Sequence, residues 1–260
     1  MSRNAPIGIF DSGMGGLSVW RELRRELPCE SVVYLADGKN CPYGERSAEE
    51  IASLTRAAVE ELLARGAKLI IVACNTATAM AIDMLRKDYD IPFVGMEPAV
   101  KPAALSSRSG VIGILATQAA LAGGLFRATS ARYSSQVEIL SAVGEGFVEV
   151  VERGAEESPE AESLVRRVLE PMIEAGADRI VLGCTHYPFL EGSMRRVIGT
   201  REVELVNPAP AVVRRAKWLL EQSGELAEEG HKAELSFVTF ADDEYLARLK
   251  ARATNIDECR

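Results

Sequence analysis

Two cysteines, Cys74 and Cys184, each end an apolar stretch that has the pattern of a buried β-strand. Residues 66–75 align with residues 176–185 at a constant offset of 110 positions, so the two cysteines occupy matching places. A turn into a helix is expected after each of them, and the unpaired N–H groups of a helix N-terminus favour a thiolate over a thiol. Since the ordinary pKa of cysteine is about 8.5, a modest lowering makes either thiol a usable base near neutral pH.

A pair of equivalent thiols suits a two-base racemisation. One thiolate removes the proton from a Cα atom, which leaves a planar carbanion, and the other thiol delivers a proton to the opposite face. A lone cysteine after an apolar strand is more often a small buried hydrophobic residue, but the repeat favours a chemical role for this pair. Candidates for supporting the proton transfers are Asp11, Glu152 and His186. Taken alone, Glu152 is also consistent with a surface carboxylate, and His186 with an ordinary hydrogen-bonded histidine.

Polar residues beside these positions suit an amino-acid ligand. The Asp11 carboxylate is suited to an ammonium group. Neutral donors suited to a carboxylate are Ser12, Asn75, Thr76 and Thr185. The turn that contains Tyr43 and Gly44, with Arg46 near it, offers donors to a second anionic group, or is a plain loop turn.

Strand-like and helix-like segments alternate along the chain, and they must position these residues. The strand-like runs are 7–10, 31–35, 69–73 and 235–240, and the helix-like stretches are 17–27, 48–64, 162–175 and 211–221. Continuous apolar strands that alternate with helices are typical of a parallel sheet covered on both faces. Such sheets bind ligands at the carboxyl ends of their strands, where Cys74 and Cys184 are expected.

The repeat extends beyond the cysteines. Residues 7–12 align with residues 112–117 at an offset of 105 positions, in the same order as the cysteine segments. We therefore predict an α/β fold of two similar doubly wound units, related by a pseudo-twofold axis, with the active site in the crevice between them.

Prolines indicate where the two domains meet. Those within residues 98–102 are expected to interrupt regular structure, and a second change along the chain lies at residues 207–210, before a predicted helix. The second α/β domain is then residues 98–207. The first is discontinuous and comprises residues 1–97 plus 208–260.

Composition excludes several classes of protein. The chain has 260 residues, a net charge of −8 and 47% hydrophobic residues, which is typical of a globular protein that does not bind nucleic acid. Residues 1–6 lack the pattern of a signal peptide, and the longest apolar stretch is shorter than the ~20 residues that span a bilayer. We therefore expect a cytoplasmic protein with reduced thiols and no membrane partner. The spacing of its five cysteines, Cys29, Cys41, Cys74, Cys184 and Cys259, does not predict a zinc site.

Several segments together carry a resemblance to a known family. They are residues 8–17, residues 36–37 followed by 42–44, residues 73–77, residues 95–101 and residues 183–188. In these segments, which lie between residue 7 and about residue 220, the sequence resembles the cofactor-independent glutamate racemases of the aspartate/glutamate racemase superfamily.

The resemblance implies an enzyme that interconverts L- and D-glutamate and supplies D-glutamate for peptidoglycan synthesis. It implies that Cys74 and Cys184 are the two proton donors and acceptors, supported by Asp11, Glu152 and His186. The residues implied to bind glutamate are Asp11, Ser12, Tyr43, Gly44, Asn75, Thr76, Thr185 and His186. The family uses neither pyridoxal phosphate nor a metal, so we expect no cofactor, and it usually forms homodimers.

Two parts of the sequence depart from the family pattern. Ala120 stands where the family often has a threonine, and residues 207–210 replace an Asp-Ser-Gly segment.

Three other functions stay open. An aspartate racemase or another two-cysteine isomerase of the superfamily is the nearest alternative. A hydrolase with a Cys184 nucleophile and a His186 base is the second, although it leaves Cys74 without a purpose. A binding or regulatory module is the third, and it predicts that replacing both cysteines leaves function unchanged.

Overall fold

The computed structural model describes residues 2–258, with the backbone alone for residues 257 and 258, so Cys259 lies outside the described residues. The strands are β1 (Ile7–Asp11), β2 (Val32–Ala36), β3 (Leu69–Val72), β4 (Phe93–Gly95), β5 (Val111–Ala116), β6 (Glu138–Val143), β7 (Arg179–Gly183), β8 (Glu204–Val206) and β9 (Leu235–Thr239). The α-helices are α1 (Leu17–Glu26), α2 (Ala48–Ala64), α3 (Asn75–Asp88), α4 (Val100–Ser106), α5 (Gln118–Ala122), α6 (Gly124–Tyr133), α7 (Phe147–Glu152), α8 (Pro159–Glu174), α9 (Glu191–Ile198), α10 (Ala209–Ser223) and α11 (Asp243–Glu258). Short 3₁₀ helices cover Tyr43–Glu45 and Tyr187–Leu190.

The chain forms two compact units, each built on a parallel sheet. Unit 1 runs to Met96 and resumes at Ala209, and its strand order is β4-β3-β1-β2-β9. Unit 2 comprises Glu97–Pro208, and its strand order is β8-β7-β5-β6 when read in the same direction. The prediction of an α/β fold with parallel sheets is confirmed. The sequence repeat is also a repeat of topology, because β1 corresponds to β5 and β3 corresponds to β7, while β9 has no counterpart in unit 2.

The core of unit 1 lies around β1. Every residue of β1, β2 and β3 is buried, which explains why these strands are apolar throughout rather than alternating. Helix α2 covers this sheet through Ile51, Val59 and Leu62. Its N-cap is Ser47, whose hydroxyl accepts the Glu50 N–H while the Glu50 carboxylate accepts the Ser47 N–H. This capping box stabilises the helix start by about 1 kcal/mol.

The core of unit 2 lies around β5, which pairs with β6 on one side and β7 on the other. Ile112 and Ile114 of β5 and Val181 of β7 pack in one buried cluster with α4 residues. Ser158 is the N-cap of α8, and its hydroxyl accepts the Ala161 N–H. The helix begins at Pro159, three residues before the predicted start.

The expectation that both prolines of residues 98–102 interrupt regular structure is wrong for Pro102. Helix α4 contains Pro102, and α10 contains Pro210, each within the first helical turn. Proline is tolerated there because the first N–H groups of a helix have no intrahelical partner. Among the described residues, no helix combines the length and apolar character needed to cross a membrane.

Candidate active site

Cys74 stands at the start of a helix in unit 1. Strand β3 ends at Val72, and Cys74 is the N-cap of α3, where its sulfur accepts the Ala77 N–H at 3.4 Å. The side chain is nearly buried, with 6% of the residue exposed. The predicted helix start after Cys74 is therefore present, and the positive end of the helix dipole favours the thiolate.

The turn after β1 places a hydroxyl beside this thiol. Ser12 Oγ lies 3.5 Å from Cys74 Sγ, within hydrogen-bond reach for sulfur. Asp11, which ends β1, is fully buried, and its Oδ2 accepts the Gly13 N–H at 3.0 Å. The turn therefore holds Asp11 and Ser12 in a defined arrangement at the carboxyl end of the sheet.

The first turn of α3 carries a buried amide that lacks a hydrogen-bond partner. Asn75 is 4% exposed, and neither its Nδ2 nor its Oδ1 atom meets a partner among the described residues. Buried polar groups are almost always hydrogen-bonded, so an orphaned amide beside a thiol is suited to a ligand. Thr76, the next residue of the helix, is also buried.

Tyr43 and Gly44 lie in the 3₁₀ helix Tyr43–Glu45. The Tyr43 hydroxyl donates to Asp37 Oδ2 at 2.6 Å, and Asn40 Nδ2 lies 3.0 Å from both oxygens of the same carboxylate. Burial raises the pKa of Tyr43, and the hydrogen bond to Asp37 raises it further, so the phenol is a neutral donor. Arg46 Nε donates to the Asn40 carbonyl at 2.8 Å, so this guanidinium helps to order the loop.

Sequence reasoning missed Asp37 as a site residue. It directly follows β2, is fully buried, and its N–H donates to the Asp11 carbonyl at 3.0 Å. The sequence signal for Asp37 is a carboxylate at the carboxyl end of an apolar strand, and Asp11 at the end of β1 shows the same pattern. It belongs to the site because it orders Tyr43.

Cys184 stands in unit 2 at the position that corresponds to Cys74, immediately after β7. The prediction that a helix begins directly after it is wrong. The chain forms a turn at residues 184–186 and then the 3₁₀ helix Tyr187–Leu190, before α9 begins. The thiol is 7% exposed, so it is about as buried as Cys74.

The partner of Cys184 is an imidazole instead of a helix terminus. His186 Nδ1 lies 3.7 Å from Cys184 Sγ, and His186 Nε2 lies 2.6 Å from Glu152 Oε1 at the end of α7. The structure thus brings together three of the predicted site residues as a thiol, an imidazole and a carboxylate in sequence. Such a chain orients the imidazole and stabilises its protonated form, which in turn stabilises a thiolate.

The residues around this turn are well packed. Thr185 is 3% exposed, and the Tyr187 ring packs edge-on against Phe147 with the centroids 5.1 Å apart. Burial holds the pKa of Tyr187 well above its ordinary value, and the negative charge of Cys184 as a thiolate raises it further.

Comparison with known proteins identifies the family of this chain. The family model described as Asp/Glu/Hydantoin racemase matches residues 7–216. The glutamate racemase of Herpetosiphon aurantiacus is 44% identical over 248 residues, which are 95% of this chain and 97% of that protein.

Solved structures are also similar over most of their length. Escherichia coli glutamate racemase in complex with L-glutamate and the activator UDP-MurNAc-ala has a TM-score of 0.85 and 32% identity, with coverage of 96% of this chain and 95% of that one. Francisella tularensis glutamate racemase in complex with D-glutamate has a TM-score of 0.84 and 25% identity, with coverage of 97% and 94%.

Proposed function

Because the chain belongs to the Asp/Glu/Hydantoin racemase family, we propose that it racemises glutamate by proton transfer between Cα and the thiols of Cys74 and Cys184. The chain is an amino-acid isomerase that interconverts L- and D-glutamate, the activity of its relatives. In this family D-glutamate supplies peptidoglycan synthesis. Family membership over most of the chain sets aside the hydrolase and the non-enzymatic module.

The observation that carries the two-thiol mechanism is the matched placement of the cysteines. Each follows the corresponding strand of its unit, and each has a group that stabilises a thiolate. For Cys74 this group is the N-terminus of α3 together with Ser12, and for Cys184 it is His186 backed by Glu152. A single nucleophilic or structural cysteine would leave the second arrangement without a purpose.

The chemistry proceeds in two proton transfers. A thiolate takes the Cα proton, the electron pair of the C–H bond stays on carbon, and the carbanion becomes planar with charge delocalised into the carboxylate. The second cysteine, present as a thiol, gives its proton to the opposite face and becomes the thiolate. Each turnover therefore ends with the protonation states of the two cysteines exchanged, ready for the reverse direction.

Substrate binding follows from the polar groups around the thiols. The buried Asp11 carboxylate is suited to the ammonium group, and the orphaned Asn75 amide is suited to the substrate carboxylate. Thr76, Thr185 and the turn at Tyr43 and Gly44 supply further donors.

The homodimer and the cytoplasmic location remain predictions. Gel filtration with light scattering tests whether the protein forms a homodimer.

The function is tested by incubating the purified protein with L-glutamate in D₂O. Optical rotation and deuterium at Cα are followed together, without added pyridoxal phosphate. Loss of rotation with deuterium in the product is the expected result. If rotation and hydrogen content both stay constant, glutamate is not the substrate, and the same assay on L-aspartate tests the alternative racemase.

A further inference from the structure

Tyr34, which is not among the predicted site residues, holds the turn that follows β1. It lies in β2 with no exposed surface, and its hydroxyl donates to the Gly13 carbonyl oxygen at 3.0 Å. The N–H of the same glycine donates to Asp11 Oδ2. The peptide groups on both sides of Gly13 are therefore fixed, and Ser12 lies immediately before them.

The close approach of Tyr34 to this turn depends on Gly16, which precedes α1. A Cβ atom at Gly16 would lie 2.7 Å from the Tyr34 hydroxyl oxygen and 2.6 Å from the Asp11 Cβ. Both distances are shorter than non-bonded atoms tolerate, so a side chain here must displace the phenol or the aspartate. Glycine is therefore needed at this position because it leaves space for the hydrogen bond of Tyr34 to Gly13. It is not needed for a backbone conformation that other residues avoid.

The ring of Tyr34 is supported by aromatic neighbours from elsewhere in unit 1. Its centroid is 6.0 Å from that of Phe237 in β9, and Phe237 is 5.9 Å from Trp20 in α1. These contacts leave the ring little freedom, so the hydroxyl is aimed at the turn by packing.

Unit 2 has no equivalent phenol at this place. Tyr34 pairs with Ile9 in the sheet, and the corresponding pair in unit 2 is Ile114 with Ser141. The arrangement therefore belongs to the Cys74 half of the chemistry alone.

We propose that Tyr34 is a positioning residue for proton transfer at Cys74, acting through the turn that sets the Ser12 hydroxyl 3.5 Å from the sulfur. The proposal rests on the proposed function, in which Cys74 is one of the two proton carriers. In the structure the Cys74 thiol donates to Ser12 Oγ; once the thiol has lost its proton, the Ser12 hydroxyl becomes the donor. A hydroxyl directed at a thiolate stabilises it, and that stabilisation depends on a fixed geometry. Without the phenol the turn gains freedom, and the Cys74 thiolate loses a donor while the surroundings of Cys184 are unchanged.

The test is the variant Tyr34→Phe, which retains the ring and its packing and removes only the hydroxyl. The rate of alkylation by iodoacetamide is measured against pH for each cysteine separately, by mass spectrometry of the peptides. We expect the Cys74 rate near neutral pH to fall about threefold to tenfold and its profile to move to higher pH, since less thiolate is present. Cys184 is the internal control and is expected to change by less than about twofold.

Two further variants complete the test. Gly16→Ala is expected to slow alkylation of Cys74 in the same way, because its methyl group displaces the phenol or Asp11. Tyr89→Phe is the matched control, since the Tyr89 hydroxyl contacts Glu60 Oε1 at 3.1 Å in a solvent-exposed pair. It is expected to leave both alkylation profiles and the racemisation rate unchanged.

The results separate this proposal from the proposed function. If Tyr34→Phe leaves Cys74 alkylation unchanged, accelerates it, or changes both cysteines equally, Tyr34 only supports the fold and the proposal is wrong. If instead Cys74→Ser racemises glutamate at the wild-type rate, the two-thiol mechanism itself fails. Slower alkylation confined to Cys74, with a lower kcat for racemisation, supports both.

Discussion

Each of the two units carries a cysteine at the carboxyl end of the corresponding strand. The groups suited to stabilise its thiolate differ between the units. Cys74 is the N-cap of a fourteen-residue helix and its sulfur accepts a backbone N–H, with the hydroxyl of Ser12 beside it. Cys184 begins no α-helix and contacts an imidazole that is held by a carboxylate. The repeat therefore preserves the position of the cysteine relative to its strand, while the groups around the sulfur differ between the units.

The opposite ends of the two cysteine strands show the same contrast. Lys68, just before β3, is fully buried, and its Nζ lies 2.7 Å from Glu30 Oε2 and donates to the Glu225 carbonyl at 2.8 Å. Asp178 stands at the corresponding place before β7 and accepts from the Ser107 hydroxyl and the Arg108 N–H, both at 2.7 Å. Unit 1 thus uses a buried cation to tie its returning C-terminal segment to the sheet, whereas unit 2 uses a carboxylate to bind a local loop.

The largest effect is expected from removing either thiol. Cys74→Ser and Cys184→Ser should each lower kcat for racemisation by about 10²- to 10⁴-fold, because a serine hydroxyl is too weak an acid to replace a thiol. Glutamate binding, measured by calorimetry, should change little. Cys29→Ser removes a half-buried free thiol of unit 1 and serves as the control. Racemisation at the wild-type rate in either site variant would refute the equivalence of the two thiols.

A large effect on stability is expected at the amino end of β3. Lys68→Met leaves the Glu30 carboxylate buried without its cation and should lower the free energy of unfolding by about 3–5 kcal/mol. The double variant Lys68→Met/Glu30→Gln should recover much of this loss, since no uncompensated charge remains. Urea unfolding measures both. A double variant no more stable than the single one would show that the lysine contributes through its other hydrogen bonds.

A smaller effect separates the two thiol environments. Glu152→Gln removes the carboxylate that holds the His186 imidazole and should lower kcat/KM about tenfold to a hundredfold. Ser12→Ala removes the hydroxyl beside Cys74. Alkylation followed for each cysteine should change at Cys184 alone in the first variant and at Cys74 alone in the second. The same response of both thiols to either substitution would mean that the two environments are not independent.

The smallest effect concerns pH and unit 2. Burial alone would raise the pKa of Asp178, but hydrogen bonds from Arg108, Ser107 and Ser109 and the nearby Arg179 guanidinium outweigh it and lower the pKa. The folded state therefore favours the ionised carboxylate of Asp178 more strongly than the unfolded state does. This stabilisation is fully present above the unfolded pKa of about 4 and disappears as the pH falls through the lower folded value.

Asp178→Asn should consequently lower the free energy of unfolding at pH 7 by about 1–3 kcal/mol, and the difference from wild type should shrink in acid. Urea unfolding at a series of pH values measures this. Asp83→Asn, at an almost fully exposed side chain, is the control and should have no effect. A difference that stays constant down to pH 2 would contradict the assignment.

Much of the fold was predictable because its central strands are apolar throughout. Helix α2 has the predicted bounds, and β3 differs from the predicted strand by one residue. The short strands β4 and β8 were not predicted, since three residues are too few to show a period. Strand β6 was missed because none of its residues is fully buried and its sequence is not continuously apolar.

A site residue could be predicted where a local sequence pattern marks it. It could not be predicted where its role depends on a contact with a residue that is distant in the sequence. The cysteines and the residues next to them follow apolar strands, which is visible in the sequence. The role proposed for Tyr34 depends on a hydrogen bond to Gly13, which lies twenty-one positions away in the sequence. Nothing in the sequence distinguishes Tyr34 from the apolar residues around it in β2. The turn after Cys184, in place of a helix, likewise has no signal in the aligned segments.

The most direct test of the central claim is Cα exchange in D₂O with the two single-cysteine variants, each given L-glutamate and D-glutamate separately. If each thiol serves one face, the remaining cysteine of each variant removes the proton of one enantiomer only. We predict that each variant incorporates deuterium into one enantiomer without inversion, and that Cys74→Ser and Cys184→Ser act on opposite enantiomers. Exchange of the same enantiomer by both variants, or of both enantiomers by either one, would contradict it.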